Sequence, residues 1–360
     1  MKFRVVTFAA CVALATVAQP AGAEVVPGPR GVIDVHGHLS LHGAKAIAQI
    51  MGTNGVRAMV NLSGGSPGMG MEQAVALASL FGGRIVNFYT PDWSHVDEPD
   101  FGVVEAARLE QAVTRHDYRG LKIAKVLGLG LRWASGVLVD VDDPVMDPIW
   151  QKAGELGVPV SIHVADPKAF FEPMSPENER WEELSVHPSW SFHGGDFPSH
   201  QELLDALERV VDRHPRTTFI GVHFGNDAED LAWVDRMLDA YPNFMIDTAA
   251  RVGEFGRHDA AAVRAFFVKH QDRILFGTDI GVGATHLMLG SNGAVPPTMK
   301  DVKPFYDAHW RYFETEERQI DHPSPIQGRW KVDAIGLPRE VLQKLYVGNA
   351  NRLIFKGKVP

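Results

Sequence analysis

Asp34-Val35-His36-Gly37-His38 follows two apolar residues, Val32 and Ile33, and runs into Leu39-Ser40. In an extended strand alternate residues share a face, so Asp34, His36 and His38 point the same way. Two imidazoles two residues apart can grip one cation. The chain holds 16 histidines in 360 residues, so such a pair can arise by chance. It carries weight only if later strands also end in metal-ligating side chains.

Working outward, short β-rich runs bounded by Gly, Pro or Asn recur along the chain. They predict strands at 32–38, 56–62, 85–89, 121–127, 159–163, 218–223, 243–248 and 274–278. Helical patterns fall between them, at 72–81, 103–115, 147–157, 201–214, 227–241 and 260–269. His214-Pro215 and Tyr241-Pro242 are sharp helix stops. Strands alternating with helices in this way predict an α/β fold, a closed (β/α)8 TIM barrel forming a single domain over residues 24–360. Two stretches exceed what a barrel needs, 166–200 after the fifth strand and 281–335 after the eighth. Both follow strands and so belong to the C-terminal face, where barrel active sites lie. Their aromatics, Phe170, Phe171, Trp181, Trp190 and Phe192 in the first and a helix over 305–313 in the second, read as substrate walls, an oligomer contact or satellite cores.

The strand ends supply the missing ligands. The fifth strand ends in His163, the sixth in His223 and the eighth in Asp279. In a barrel these positions meet His36 and His38 at one mouth. Zn²⁺ accepts neutral imidazole and carboxylate ligands and can keep a position open for water or substrate. A buried polar network without metal is the plainer alternative.

The ordered set resembles the amidohydrolase superfamily, specifically the amidohydrolase-2 branch that includes aminocarboxymuconate-semialdehyde decarboxylase-like proteins. The matching pieces are Ile33-Asp34-Val35-His36-Gly37-His38, Ser161-Ile162-His163, Gly221-Val222-His223 and Leu275-Phe276-Gly277-Thr278-Asp279. The tail Tyr346-Val347-Gly348-Asn349-Ala350-Asn351-Arg352-Leu353 is similar to the closing helix of that branch. The resemblance spans residues 31–355 and implies that His36, His38, His163 and Asp279 hold one divalent ion, zinc first. It implies His223 as an acid/base beside the metal water, and Asp279 as both ligand and proton carrier. Asp34 is expected to accept a hydrogen bond from a metal-bound imidazole. Binuclear relatives bridge two metals through a carbamylated Lys or a Glu on strand four. Here Lys122 and Lys125 compete for that position, Lys125 being nearer the strand end, and a second ion is the less favoured arrangement. Lys125 and Arg251 are the substrate-binding candidates, Arg251 either as a clamp for a carboxylate or, equally, in a salt bridge to Asp247 or Glu254. Asp247 could face the barrel interior. His187, His193 and His200 are read as surface or substrate-wall residues, and His286, close behind the eighth strand, as a contact.

Residues 1–23 read as a signal peptide. Lys2 and Arg4 form a basic start, an Ala- and Val-rich run follows, and Ala21-Gly22-Ala23 is a cleavage signal. The expectation is a periplasmic or secreted protein without a stable membrane span. A lipoprotein cut before Cys11 is the runner-up. Cys11 is the only cysteine, so the mature chain would have neither disulfides nor thiolate metal sites. Removing Lys2 and Arg4 takes the formal charge from -9 to -11, which argues against nucleic acid as a partner. A small-molecule substrate is expected instead, and the resemblance implies a homodimer as the assembly to test.

The leading expectation is hydrolysis of an ester, lactone or amide by metal-bound hydroxide. The alternative is non-oxidative decarboxylation of an aromatic or unsaturated acid. A catalytically silent binding protein comes third. A glycosidase would need two carboxylates flanking a cleft, where this chain offers histidines.

Overall fold

The computed structural model describes residues 31–359; the expected leader over 1–23 lies outside them. Eight parallel strands carry the fold: β1 Val32–Leu39, β2 Val56–Asn61, β3 Ile85–Tyr89, β4 Gly120–Ile123, β5 Val160–Ile162, β6 Phe219–Gly221, β7 Phe244–Asp247 and β8 Ile274–Leu275. They pair in sequence order, each with the next. The ring closes between β8 and β1, where the Val35 amide donates to the Phe276 carbonyl at 2.9 Å and the Asp279 amide to the His36 carbonyl at 3.0 Å. This is the expected (β/α)8 barrel. Its strands are buried on both faces, as Val160-Ser161-Ile162 and Phe219-Ile220-Gly221 show, because helices cover the outside and side chains fill the inside.

The helices form for local reasons that the sequence displays. His200–Arg213 opens with a capping box between Ser199 and Glu202 and buries Leu203, Leu204, Leu207, Val210 and Val211 along one stripe. It stops before Pro215, which cannot continue the ladder. Each buried Leu contributes roughly 1.5–3 kcal/mol of transfer free energy, so the stripe together outweighs the cap, worth about 1 kcal/mol. Asp147–Leu156 ends on Gly157 at φ +61°, a left-handed conformation that favours glycine.

Both long segments lie at the C-terminal ends of the strands. After β5 the chain makes short turns around Lys168–Phe171, Trp181–Leu184 and Pro188–Trp190. Phe170 and Phe192 join the main core, while Phe171 and Trp190 are only partly buried against it. After β8 comes a hairpin that the sequence did not announce: β9 Ile280–Val282 and β10 Leu287–Leu289. β9 adds in parallel to the end of β1, with His38 opposite Gly281. The helix Met299–Glu314 then packs Phe305, Tyr306, Trp310 and Phe313 inward. Among the described residues no helix is long and apolar enough to cross a membrane.

The strand bounds differ most from expectation at three places, and those fall on the site. β4 ends at Ile123, so Lys125 lies beyond it. β6 ends at Gly221, and His223 and Phe224 sit in left-handed backbone at φ +55° and +60°. β8 holds only two ladder residues, and Asp279 turns at φ +62°. Each turn swings a side chain out of the strand alternation and into the barrel mouth.

Candidate metal centre

His36, His38 and Asp279 come together at the seam between β1 and β8. Their ligand atoms all lie within 4.8 Å of one another. Asp279 Oδ1 stands 3.5 Å from His36 Nε2 and 3.4 Å from His38 Nε2. The far nitrogens are held from behind. His36 Nδ1 donates to Asp247 Oδ2 at 2.8 Å, and His38 Nδ1 is hydrogen-bonded with Ser63 Oγ at 2.8 Å. The first of these bonds fixes the tautomer that leaves the His36 Nε2 lone pair facing Asp279.

His223 occupies the next place around the mouth. Its ring centroid lies 4.8 Å from that of His36 and 4.5 Å from that of His163. Its Nδ1 donates to the Ala249 carbonyl at 2.9 Å, and its backbone amide donates to Asp247 Oδ1 at 2.9 Å. Asp247 therefore holds both His36 and His223. Asp34 does not do the work expected of it. Its carboxylate accepts from the Thr278 hydroxyl at 2.6 Å, the Tyr306 hydroxyl at 2.8 Å and the amides of His36 and Thr278. It meets no imidazole because it joins β1 to the turn after β8, further from the mouth. Nothing local in the sequence tells these two aspartates apart.

His163 belongs to the same mouth but falls outside the three-residue cluster. β5 stands across the ring from β1, so its end approaches from the far wall. There His163 Nε2 lies 3.4 Å from Asp166 Oδ1.

The two lysines divide differently from expectation. Lys122 is the one facing the barrel interior, buried, with no hydrogen bond on its Nζ. Lys125 lies past the strand end, paired with Asp166, and Phe170, Trp190 and Phe192 stand 5.5–5.9 Å from its ammonium.

Burial sets the protonation of this cluster. It pushes His163 down to about 4 and His36 and His223 below the ordinary imidazole range, so all three are neutral at pH 7. Burial would raise Asp279, but His36, His38 and Arg251 outweigh it and hold the carboxyl well below its usual range. Burial also lowers Lys122 to about 8, against the pull of Asp247 and Asp279. Neutral imidazoles beside an ionised carboxylate are the donor set a divalent cation accepts. The residues present fit such an ion.

Above the cluster lies a cavity of about 110 Å³. Asp279, His223 and His163 form part of its lining, Phe170, Trp190 and Met288 give an apolar wall, and Arg251 faces in from the turn after β7. Arg180, Glu183, Ser291 and Gln327 also line it. These four come from the two long segments and were not singled out from the sequence, where nothing in their spacing ties them to the strand ends.

The amidohydrolase family model matches residues 33–356, nearly the whole described chain. This chain belongs to the amidohydrolase family. Its solved neighbours include 2,6-dihydroxybenzoate decarboxylase from Rhizobium, with 16% identity, TM-score 0.54 and coverage of 92% of this chain and 100% of that one. Dihydroxybenzoic acid decarboxylase from Polaromonas sp. JS666, with bound manganese and 2-nitroresorcinol, gives 15%, 0.54, 92% and 98%. 4-Oxalomesaconate hydratase from Rhodopseudomonas palustris gives 14%, 0.51, 90% and 96%. At these identities the likeness is one of fold. No curated protein matches the sequence. As an amidohydrolase the chain is an enzyme of a metal-binding family, and His36, His38 and Asp279 form a cluster able to hold a metal ion.

Proposed function

We propose that this amidohydrolase is a metal-dependent decarboxylase of small aromatic or unsaturated carboxylic acids, acting without an oxidant. The observation that carries the reading is the cavity. It sets a buried guanidinium, Arg251, and an apolar wall of Phe170, Trp190 and Met288 over the Asp279–His223 pair. Its volume is of the order of the roughly 150 Å³ apolar cavity that holds one benzene. The names of the Rhizobium and Polaromonas neighbours support the same substrate class.

His36, His38 and Asp279 would hold the ion, with His163 facing the same space. When bound, a divalent ion supplies Lewis-acid polarisation of a substrate oxygen. Zinc is the first ion to assay and manganese, present in the Polaromonas neighbour, the second. The rest falls to the chain's own groups. The apolar wall orients the ring, and Arg251 balances the carboxylate charge. The bond between the ring and its carboxylate breaks, CO₂ leaves, and the electron pair left on carbon takes up a proton. That proton comes from a substrate hydroxyl or solvent water, and Asp279 and His223, the one ionised and the other neutral beforehand, would relay it to the carbon. Lys125 is already matched by Asp166 and serves the wall more than the ligand.

Hydrolysis remains the second reading, since the same ligands serve water addition and a hydratase shares the fold. The test is incubation of the metal-loaded protein in D₂O with dihydroxybenzoates and unsaturated acids, beside a panel of esters and lactones. CO₂ release with one deuterium at the vacated carbon supports decarboxylation. Turnover confined to esters or lactones overturns it.

A further inference from the structure

Arg180, Glu183 and Arg251 line the cavity with Glu254 buried behind them, and the pairing of these four charges is uneven. Arg180, on the segment after β5, is 1% exposed. Its Nη1 donates to Glu183 Oε2 at 2.8 Å, and its Nη2 pairs with Glu254 Oε1. The other oxygen of Glu183 accepts from the Ser291 hydroxyl. Arg251 receives much less. Its Nη1 donates to the Ala250 carbonyl at 2.7 Å, and its Nε stands 4.0 Å from Glu254 Oε1, beyond hydrogen-bond reach. A guanidinium has five N–H donors. Among the described residues only one of those on Arg251 is used, and the group lines the cavity.

Glu254 lies three residues from Arg251 and is its natural partner in charge. Arg180 takes that carboxylate away. A buried guanidinium left with open donors is costly unless an anion completes it, and its planar fork matches a carboxylate. We propose that Arg180 is a positioning residue that draws Glu254 aside and so keeps Arg251 free to anchor the carboxylate of the substrate. This rests on the reading of the substrate as an acid and adds what selects it. The segment after β5 then sets the charge of the ligand from outside the metal cluster.

The test is calorimetric titration of the metal-loaded full chain with benzoate and with benzamide, its neutral counterpart of the same shape. Arg251→Met is expected to weaken benzoate by about 30-fold, the scale of a charge-assisted hydrogen-bonded pair, and benzamide by less than about 3-fold. Arg180→Met is expected to weaken benzoate by about 10-fold, because Glu254 closes on Arg251. The double variant Arg180→Met/Glu254→Gln is expected to restore benzoate to within about 3-fold of the parent, since the Glu254 carboxylate then no longer competes for Arg251. Should Arg180→Met not fold, the double variant and Glu254→Gln alone carry the test, both expected to bind benzoate like the parent. Benzoate binding that ignores Arg251→Met, or is absent from the parent, overturns the anchor. Equal loss of benzoate and benzamide in Arg180→Met, unrestored in the double variant, reduces Arg180 to a structural residue. No turnover is measured, so a failed decarboxylase reading leaves these outcomes legible on their own.

Discussion

Asp247, two strands around the barrel from His36 and 211 residues along the chain, accepts its Nδ1 proton at 2.8 Å. The bond turns Nε2 of that imidazole toward Asp279. Asp247→Asn weakens this acceptor and frees the ring to reorient. Metal affinity is expected to fall by about 10–100-fold, the usual cost of losing the group behind a ligating His. Asp34→Asn, which meets no imidazole, is expected to lower thermal stability while leaving the affinity near that of the parent. Competition against a chelator measures the first effect and thermal denaturation the second.

His223 adjoins the three-residue cluster without belonging to it. His223→Asn should therefore retain the metal yet lose about 10²–10⁴-fold in kcat, the range for a lost general acid or base. Elemental analysis beside a rate assay decides it. Loss of metal with the imidazole would make His223 a ligand instead.

Gly277 precedes the Thr278-Asp279 turn under close constraint. A Cβ there would stand 2.9 Å from His36 Cβ and 3.3 Å from Ala249 Cβ. Gly277→Ala must push the His36 strand outward. A stability loss of about 1–3 kcal/mol is expected from overpacking, with weaker metal binding, because the displaced residue carries a ligand. Denaturant titration and chelator competition check the two parts.

His309 gives the acid sensitivity of the fold a definite sign. Burial lowers its pKa to about 4, its Nδ1 donates to the Phe305 carbonyl at 2.8 Å, and its Nε2 is buried without a partner. Between pH 6.5 and 4 the unfolded chain takes a proton that the native one refuses. Stability should fall through that window by roughly 3 kcal/mol on account of this residue and then level off. His309→Leu is expected to flatten the decline, read from denaturant midpoints at pH 7 and pH 4.5.

Much of this site is legible in the sequence because a barrel sends every strand end to one face. A histidine or aspartate closing an apolar run is thereby placed, and all eight expected strands are present. What the pattern cannot give is where a strand stops to within two residues. β4 ends before Lys125, so Lys122 takes the inward position. His163 shows a second limit, since reaching the mouth does not say which neighbour a side chain meets once there. Asp34 and Asp247 show a third. Both are buried acids on barrel strands, and only the closing of the ring decides which one receives an imidazole. Arg180 and Glu254 pair through an irregular segment with no period to read.

The seam of the barrel also gathers the candidate metal ligands, and this orders events during synthesis. His36 and His38 leave the ribosome some 240 residues before Asp279. At translation rates of about 5–20 residues per second, the first two ligands wait more than ten seconds for the third. Ion capture by the complete cluster therefore belongs to the final stage of folding, once β8 has met β1. A visible-absorbing ion such as cobalt would then act as a clock for that last event, dark while the ring is open and coloured when it shuts.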